Sequence, residues 1–273
     1  MRNAKSKRVY LALVAFNLAV VNLLCLPLSL AAWSAPTNKD GTYKGWIISQ
    51  ESIGQSIYKF VITDDAIRLD SPAHGFSMIA KAPDWNPCVF RAETKEMGFL
   101  KFSQWQAWNT GALGTNDVCT LDQPSSKRRI QVRGIDAPTY QYQFPGEKLT
   151  TAILQTGKAG EISNYYVDTY QLSKAPQVAA LQCQLFNCPQ LDGLLIRCLG
   201  REKDTKTMNW FIRTRKLEPS NSIPASTFVP PKGYKILKAI DSQFKFKGMA
   251  RSLDEFGDML DLGEGRATKK PKP

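Results

Sequence analysis

NWFIRTRKLEPSNSIPASTFVPPKGYK, residues Asn209–Lys235, is the segment around which the rest of the chain is organised. Trp210, Ile212 and Thr214 occupy every second position, and this period with aromatic and β-branched residues is typical of a strand. Its alternation predicts one apolar face. The prolines from Pro219 onward predict a return and a short final strand, because proline cannot donate to a sheet ladder.

The segments before this stretch show the same signature. Strands are predicted over Gly45–Ser49, Ile57–Thr63, Ala66–Asp70, Phe76–Lys81, Cys88–Ala92 and Gly98–Trp105. Their short, even spacing with turn residues between them predicts an antiparallel meander. Farther along, the pattern predicts a loop over Asn109–Gln123, strands over Thr150–Gln155, Ser163–Thr169 and Leu194–Leu199, and a helix over Ala175–Phe186.

The composition is that of a folded, basic protein. The 273 residues are 43% hydrophobic and 22% charged, which is ordinary for a globular chain, and the net charge is +12. A basic excess favours contact with anionic surfaces such as lipid headgroups or nucleic acid. The basic run over Lys127–Arg133 has no aromatic stacking motif beside it, so we interpret it as the solvated face of a strand.

The N-terminal segment has the pattern of an export signal. Four basic residues precede an apolar run over Val9–Leu30, and Ser29 and Ala31 suit a cleavage site. The run also approaches the roughly 20 residues that cross a bilayer, so a retained anchor is the alternative. We expect a protein exported to the periplasm or cell envelope.

The cysteines agree with export, because disulfides form in oxidising compartments. The candidates are Cys88, Cys119, Cys183, Cys188 and Cys198. We predict a Cys88–Cys119 disulfide and a second bond between two of the remaining three. A zinc site is the weaker alternative, since the chain has a single histidine, His74. No metal or cofactor is predicted.

The C-terminal end carries a second helical pattern. Ser252 to Glu255 forms a capping box, and Leu253, Phe256, Met259 and Leu260 follow on one stripe. The chain is thus predicted to divide into a signal over 1–31, a linker over 32–44, a β-sheet domain over 45–248, an amphipathic helix over 249–265 and a disordered basic tail over 266–273.

Several of these segments together resemble one family. IYKFVITDDAIRLDSPAHGFSMIAKAPD, YYVDT with the helix after it, and WFIRTRKL followed by IPASTFVPPKGYK are similar to exported lipid- and lipoprotein-carrier proteins of the LolA/LppX-like superfamily. The resemblance spans about residues 45–238. It implies a mainly β (α+β) fold, an open half-barrel of strongly curved antiparallel sheet with a helix on its concave face. The chain departs from the family in its long middle section and its cysteines.

The resemblance implies that the apolar faces of the sheet hold an acyl chain. The candidate ligand-binding residues are Tyr58, Phe60, Ile62, Phe76, Met78, Trp210, Ile212 and Phe256. The expected function is therefore non-enzymatic binding of a lipid or lipoprotein acyl chain. The first alternative is an envelope structural or interaction protein that contacts anionic lipid or polymer. Whether aromatic residues line a cavity or fill a core stays open at this stage.

A hydrolase is the third hypothesis. Serine, aspartate and His74 are the residue types of a triad, but no G-x-S-x-G elbow occurs and His74 falls in a turn. We therefore predict no catalytic residues. Nucleic acid is not an expected partner, and contact with a membrane surface is compatible with the charge.

Overall fold

The computed structural model describes residues 41–52, 57–112, 124–146, 162–186, 188 and 190–240. Within these ranges the strands are β1 Thr42–Ser52, β2 Ile57–Ile62, β3 Ala66–Ser71, β4 Phe76–Lys81, β5 Cys88–Arg91, β6 Glu96–Phe99, β7 Ser126–Ile130, β8 Thr139–Pro145, β9 Ile162–Tyr170, β10 Leu194–Glu202, β11 Met208–Pro224 and β12 Lys235–Ile236. The α-helices of the described residues are α1 Trp105–Ala112 and α2 Pro176–Leu185, and short 3-10 turns cover Pro72–His74, Phe102–Gln104 and Ala225–Phe228.

The described strands form one sheet in the order β12-β6-β5-β4-β3-β2-β1-β11-β10-β9-β8-β7. Every neighbouring pair is antiparallel except β12 with β6. Strands that are distant in the sequence meet at the centre of the sheet, where β1 pairs with β11. The pairing runs from Thr42, which lies opposite Pro224, to Ser52, which lies opposite Ile212. The predicted mainly β fold, an open and curved antiparallel sheet, is confirmed.

The concave face of this sheet, defined here as the face that α1 and α2 cover, carries the core. Alternate residues of each strand point into it, which is the period-two burial that a half-covered sheet requires. The indole Nε1 of Trp105 in α1 donates to the Leu181 carbonyl in α2 over 2.8 Å. The helices therefore contact each other as well as the sheet.

The long strand β11 differs from the prediction, which expected a return at Pro219. The strand continues through Pro219, which lies opposite Trp46 of β1. Strand β10 pairs only with Met208–Arg213, so Pro219 faces β1 on one side and needs no ladder donor on the other. The proline therefore marks an open edge of the strand instead of its end.

The alternation along β11 is also broken by a bulge. The register shifts between Cys198 and Leu199 of β10, so Ile212 lies opposite Cys198 and Trp210 lies opposite Leu199. Phe211 and Ile212 are consequently both buried. Gly200 makes this possible, since a Cβ on it would lie 2.4 Å from the Phe211 ring. The predicted shared face of Trp210 and Ile212 is wrong.

The segment Gly98–Trp105, predicted as a strand, is largely helical or turn. Strand β6 ends at Phe99, and α1 begins at Trp105. Trp105 and Trp108 lie three residues apart, stack at 5.5 Å between ring centroids and are both buried. Their aromatic content favours strands in a local pattern, whereas contact with α2 and the core determines the helix.

The opposite, convex face is partly covered by the chain after β11. Phe228 packs edge-on against Tyr43 at 5.7 Å, and Tyr234 packs against Phe90 at 6.2 Å. Ile240 lies instead on the concave side, over Gly98, and belongs to the core. The predicted strand over Thr150–Gln155, the helix over 249–265 and the segments over 1–31, 32–40 and 266–273 lie outside the described residues.

Candidate ligand-binding face and mouth cleft

Most of the candidate ligand-binding residues lie together on the concave face. They are Tyr58, Phe60, Ile62, Phe76, Met78 and Ile212, none of them more than 8% exposed. Antiparallel pairing brings them together, for example Phe60 opposite Leu69 and Leu69 opposite Met78. Trp210 lies instead on the convex face, and Phe256 lies outside the described residues.

These side chains are in contact with the helical layer. Phe186, just after α2, packs against Tyr58 at 5.3 Å and against Phe60 at 6.4 Å between ring centroids. Trp108 of α1 packs edge-on against Phe76 at 5.8 Å. The concave face is therefore filled by helical side chains in this conformation, so a ligand on it takes the place of contacts made by α1 and α2.

A buried glutamine holds α2 on the sheet. Gln182 donates to the Gln50 side chain at 2.8 Å and to the Leu195 carbonyl at 3.0 Å, and it accepts from the Leu195 amide at 2.8 Å. Gln50 in turn donates to the Leu195 carbonyl and to Thr214. Both glutamines are fully buried. This cluster joins α2, β1, β10 and β11.

The sequence pattern did not single out Gln182. A glutamine within an apolar helix is consistent with a solvent-facing position, because glutamine is usually exposed. Its partners Gln50 and Leu195 are 132 and 13 residues away. The only local signal is a polar residue within the run from Val178 to Leu185, which is buried at nearly every position.

A cleft of about 830 Å³ opens at one end of the sheet, and we call it the mouth cleft. It is lined by Asp64, Pro138, Gln171, Leu172, Ser173, Lys174, Ala175, Pro176, Ala179, Gln190, Leu191, Asp192 and Gly193. These residues belong to the β2–β3 turn, the start of β8, the loop before α2 and the loop before β10. Leu172 and Leu191 are at the same time members of the hydrophobic core.

One side of the mouth cleft is held by a charged cluster around Asp192. The Lys127 ammonium pairs with its carboxylate, and the Tyr142 hydroxyl donates to it over 3.1 Å. The hydrogen bond from Lys127 lowers the pKa of Asp192, while burial raises the pKa of Tyr142. Thr169 donates to the Asp192 carbonyl over 2.7 Å. The loop before β10 is thus anchored to β8 and β9.

The other side of the mouth cleft is held by the β2–β3 turn. Ser173 donates to the Thr63 carbonyl over 3.0 Å, and the Lys174 amide donates to the Asp64 carboxylate over 2.8 Å. The Lys174 ammonium lies 3.7 Å from Asp64 and is largely exposed. Exposed pairs of this kind contribute about 0–1 kcal/mol. This attachment is therefore weaker than the buried one at Gln182.

His74, the residue of the hydrolase hypothesis, lies in a buried turn. Its Nδ1 is 2.8 Å from the Ser71 hydroxyl, its carbonyl accepts from Arg91 over 2.7 Å, and its ring stacks on Tyr58. Ser71 and His74 are 1% and 5% exposed. Ser71 and His74 are thus hydrogen-bonded to each other, but both are enclosed in the core. A catalytic pair must instead be accessible to a substrate.

The cysteines of the described residues are all buried. Cys88, Cys183, Cys188 and Cys198 each lack a disulfide bond in this structure, and Cys119 lies outside the described residues. Burial raises the pKa of Cys88 and of Cys183 to about 11, and that of Cys198 to about 12. In the part of the chain that the structure describes, no three metal-ligating side chains come together.

No helix in the described ranges combines the length and apolar content needed to cross a bilayer.

No protein-family profile and no curated protein matches the chain. Among solved structures, it is similar to an uncharacterized conserved protein from Thermus thermophilus, with 7% identity, 73% of this chain and 92% of that chain covered, and a TM-score of 0.36.

The chain is also similar to a LolA superfamily protein from Nitrosomonas europaea, with 10% identity, 71% of this chain and 92% of that chain covered, and a TM-score of 0.24. This neighbour belongs to the superfamily whose sequence pattern residues 45–238 resemble.

Proposed function

We propose that this protein is an exported, non-enzymatic protein of the periplasm or cell envelope that binds the acyl chain of a lipid or lipoprotein on its concave face. The observation that carries the proposal is the mouth cleft. Leu172 and Leu191 line it and belong to the core as well, so the cleft borders the apolar interior.

The size and chemistry of the cleft fit an amphiphilic ligand. Its volume of about 830 Å³ lies within the roughly 300–1,000 Å³ of small-molecule sites. Ala179 and the two leucines form an apolar floor, whereas Asp64, Lys174 and Asp192 lie on the rim. An acyl chain would lie on the floor, and its polar end would stay among the charged groups at the rim.

Binding deeper than the cleft requires α2 to move. The N-terminal end of α2 is held through Ser173 and Lys174, whose contacts are partly exposed, whereas its middle is held by the buried Gln182. We therefore expect the N-terminal end to lift first. A chain that enters there passes under the helix toward Phe60 and Tyr58 at its far end.

Native mass spectrometry with lipid extraction of the exported protein tests the proposal. We expect a lipid adduct on the wild type, and a several-fold lower occupancy in Ala175→Trp, because Ala175 lines the cleft and an indole would fill it. Ala92→Trp is the matched control, since Ala92 is exposed in the β5–β6 turn. Thermal unfolding of both variants checks that they fold.

Two results contradict acyl binding. The first is a wild type that carries no lipid and also fails to bind an added fluorescent fatty acid. The second is equal occupancy in Ala175→Trp and the wild type. For export, N-terminal sequencing of extracytoplasmic protein is expected to show processing after Ala31; an intact Met1 there favours the retained anchor.

The helix predicted over 249–265 enters the proposal as a lid. Leu253, Phe256, Met259 and Leu260 can bury their stripe only against another apolar surface. Deletion of residues 249–273 is expected to raise the binding of a hydrophobic dye and to change the extracted lipid. Loss of the cooperative thermal transition would show instead that the segment belongs to the permanent core, and an unchanged protein would show that it does not dock.

A further inference from the structure

A polar row crosses six strands on the convex face. Directly opposite residues in the register link β7, β8, β9, β10, β11 and β1 in turn. The row consists of Arg128, Gln141, Asp168, Arg197, Arg213 and Glu51. Opposite residues in a sheet share a face, so these side chains lie side by side. We call them the arginine row.

Buried carboxylates position the arginines of this row. Asp168 accepts from Arg197 Nε over 2.8 Å. Glu51 accepts from Arg213 Nε over 2.7 Å and from Arg215 Nε over 2.6 Å. The two acidic side chains are 4% and 5% exposed, whereas the three arginine side chains are between 43% and 50% exposed. The acids therefore lie beneath, and the cations face solvent in fixed orientations.

The arginine row leaves positive charge uncompensated at one point. Arg197 of β10 lies directly opposite Arg213 of β11, and like charges in that position repel. Arg213 and Arg215 share one carboxylate, that of Glu51. Three guanidinium groups thus meet two buried acids. An anion placed over them would relieve the repulsion, and arginine binds phosphate through two parallel hydrogen bonds.

The neighbouring row on the same face is apolar and aromatic. Tyr166, Leu199 and Trp210 lie opposite one another in the register. Trp210 is covered by Arg213 at 4.1 Å, which fixes the indole beside the cations. Met208 is 45% exposed. Tryptophan and tyrosine favour the boundary between water and lipid, where one end is apolar and the other is hydrated.

Further cations surround this apolar row. A shallow pocket of about 360 Å³ lies between the two rows and is lined by Arg128, Gln141, Tyr166, Leu199, Arg201, Lys206 and Met208. Basic groups around an exposed apolar patch match the headgroup region of an anionic bilayer, whose negative surface potential attracts each nearby cation. A soluble anion would use the cations alone.

We propose that the convex face of β9, β10 and β11 docks on the surface of an anionic phospholipid membrane, with lipid phosphates over Arg197, Arg213 and Arg215 and with Trp210 and Met208 at the headgroup boundary. This inference concerns the face opposite the mouth cleft and does not depend on an acyl ligand. The basic composition favours contact with anionic lipid, and the structure assigns the residues.

Co-flotation of the full chain with vesicles tests the proposal. We expect binding to vesicles that contain phosphatidylglycerol, little binding to vesicles of phosphatidylcholine alone, and loss of binding at high salt because charges are screened. Arg201→Glu with Lys206→Glu should lower the partition coefficient at least about 25-fold, since each lost cation accounts for about fivefold. The fold is expected to persist, because Asp168 and Glu51 keep their ion pairs with Arg197, Arg213 and Arg215.

The matched control reverses the same number of charges elsewhere. Lys232 and Lys238 are exposed and lie beyond β11, so Lys232→Glu with Lys238→Glu has the same net charge without touching the shallow pocket that Arg201 and Lys206 line. Its binding should stay within about twofold of the wild type, apart from the general effect of net charge. Trp210→Ala should weaken vesicle binding and leave binding of inorganic phosphate unchanged.

Other outcomes overturn the proposal. Equal loss in both charge variants shows that net charge alone drives binding. Binding of inorganic phosphate without binding of vesicles assigns a small-anion site, and equal affinity for a soluble polyanion assigns a different partner. Lipid occupancy of the mouth cleft, measured on the same variants, is expected to stay at the wild-type level, which separates a failure here from a failure of the proposed acyl site.

Discussion

The two faces of this sheet solve the problem of polar groups in different ways. On the concave face, the buried polar side chains Gln182 and Gln50 satisfy each other and the Leu195 backbone. On the convex face, the acids Asp168 and Glu51 are buried, but their cationic partners extend into solvent. Neutral hydrogen bonds thus close the concave side, whereas ion pairs leave the convex side charged and open to a partner.

The two faces should tolerate different substitutions. Burial of a neutral amide costs little when all its hydrogen bonds are made, and removal of one partner then leaves several groups unsatisfied. A half-exposed guanidinium is still hydrated, but its loss leaves the buried Asp168 or Glu51 carboxylate without a cation. We therefore expect concave variants to affect folding, whereas Arg201 and Lys206, which take no part in these ion pairs, can be replaced with an effect on binding alone.

The largest expected effect is a difference in stability between substitutions of Ile212 and Trp210, which are close in sequence but lie on opposite faces. Ile212→Ala should lower the free energy of unfolding by about 2–5 kcal/mol, because Ile212 is fully buried. Trp210→Ala should lower it by about 1 kcal/mol or less, since its cation–π contact with Arg213 is partly exposed. Urea denaturation of both variants measures the difference. Equal losses would contradict the bulge between them.

Gln182→Met should have the next largest effect. The substitution keeps the volume but removes the hydrogen bonds to Gln50 and to the Leu195 backbone. We expect a loss of about 2–4 kcal/mol in urea, since each unsatisfied buried group costs about 1–3 kcal/mol. Gln143→Met, at a half-buried position of β8, is the control. A stability equal to the wild type would show that this cluster does not hold α2.

Glu51→Gln should mainly change how the free energy of unfolding depends on pH. At neutral pH in high salt, the free energy of unfolding itself should change less. Hydrogen bonds from Arg215 and Arg213 lower the pKa of the Glu51 carboxyl in the folded state. Its contribution is therefore present above the ordinary carboxyl pKa and is lost as pH falls through the lowered one. Urea midpoints across the acidic range should fall less steeply in the variant. An identical acid limb would contradict the expected linkage.

The smallest effect is expected for the cysteines, which should be unreactive in the folded protein. Burial raises the pKa of Cys183 to about 11 and that of Cys198 to about 12, so their thiols stay protonated at neutral pH. Reaction with a thiol reagent should be more than about tenfold slower in the folded protein than in urea. The thiol count after unfolding also tests the predicted Cys88–Cys119 bond, which would lower that count.

Local patterns were sufficient for much of the sheet. Strand β4 was predicted over the same residues that the structure shows, Phe76–Lys81, and α2 was predicted within one residue at each end. In both cases the signal lies in neighbouring residues, namely the apolar side chains of β4 and, for α2, the apolar run that follows Pro176. Helix α1 was missed because its two tryptophans have strand propensity, and only contact with Leu181 across the core determines their conformation.

The sites depended on information that no local pattern contains. Glu51 and Arg213 are 162 residues apart in the chain, and a bulge beside Gly200 decides which face Trp210 occupies. By itself the sequence determined which segments can be strands or helices, because side-chain period and turn chemistry act over a few residues. The tertiary structure alone decided which side chains meet, because cross-strand register joins distant residues and a shift of one residue moves a side chain to the opposite face.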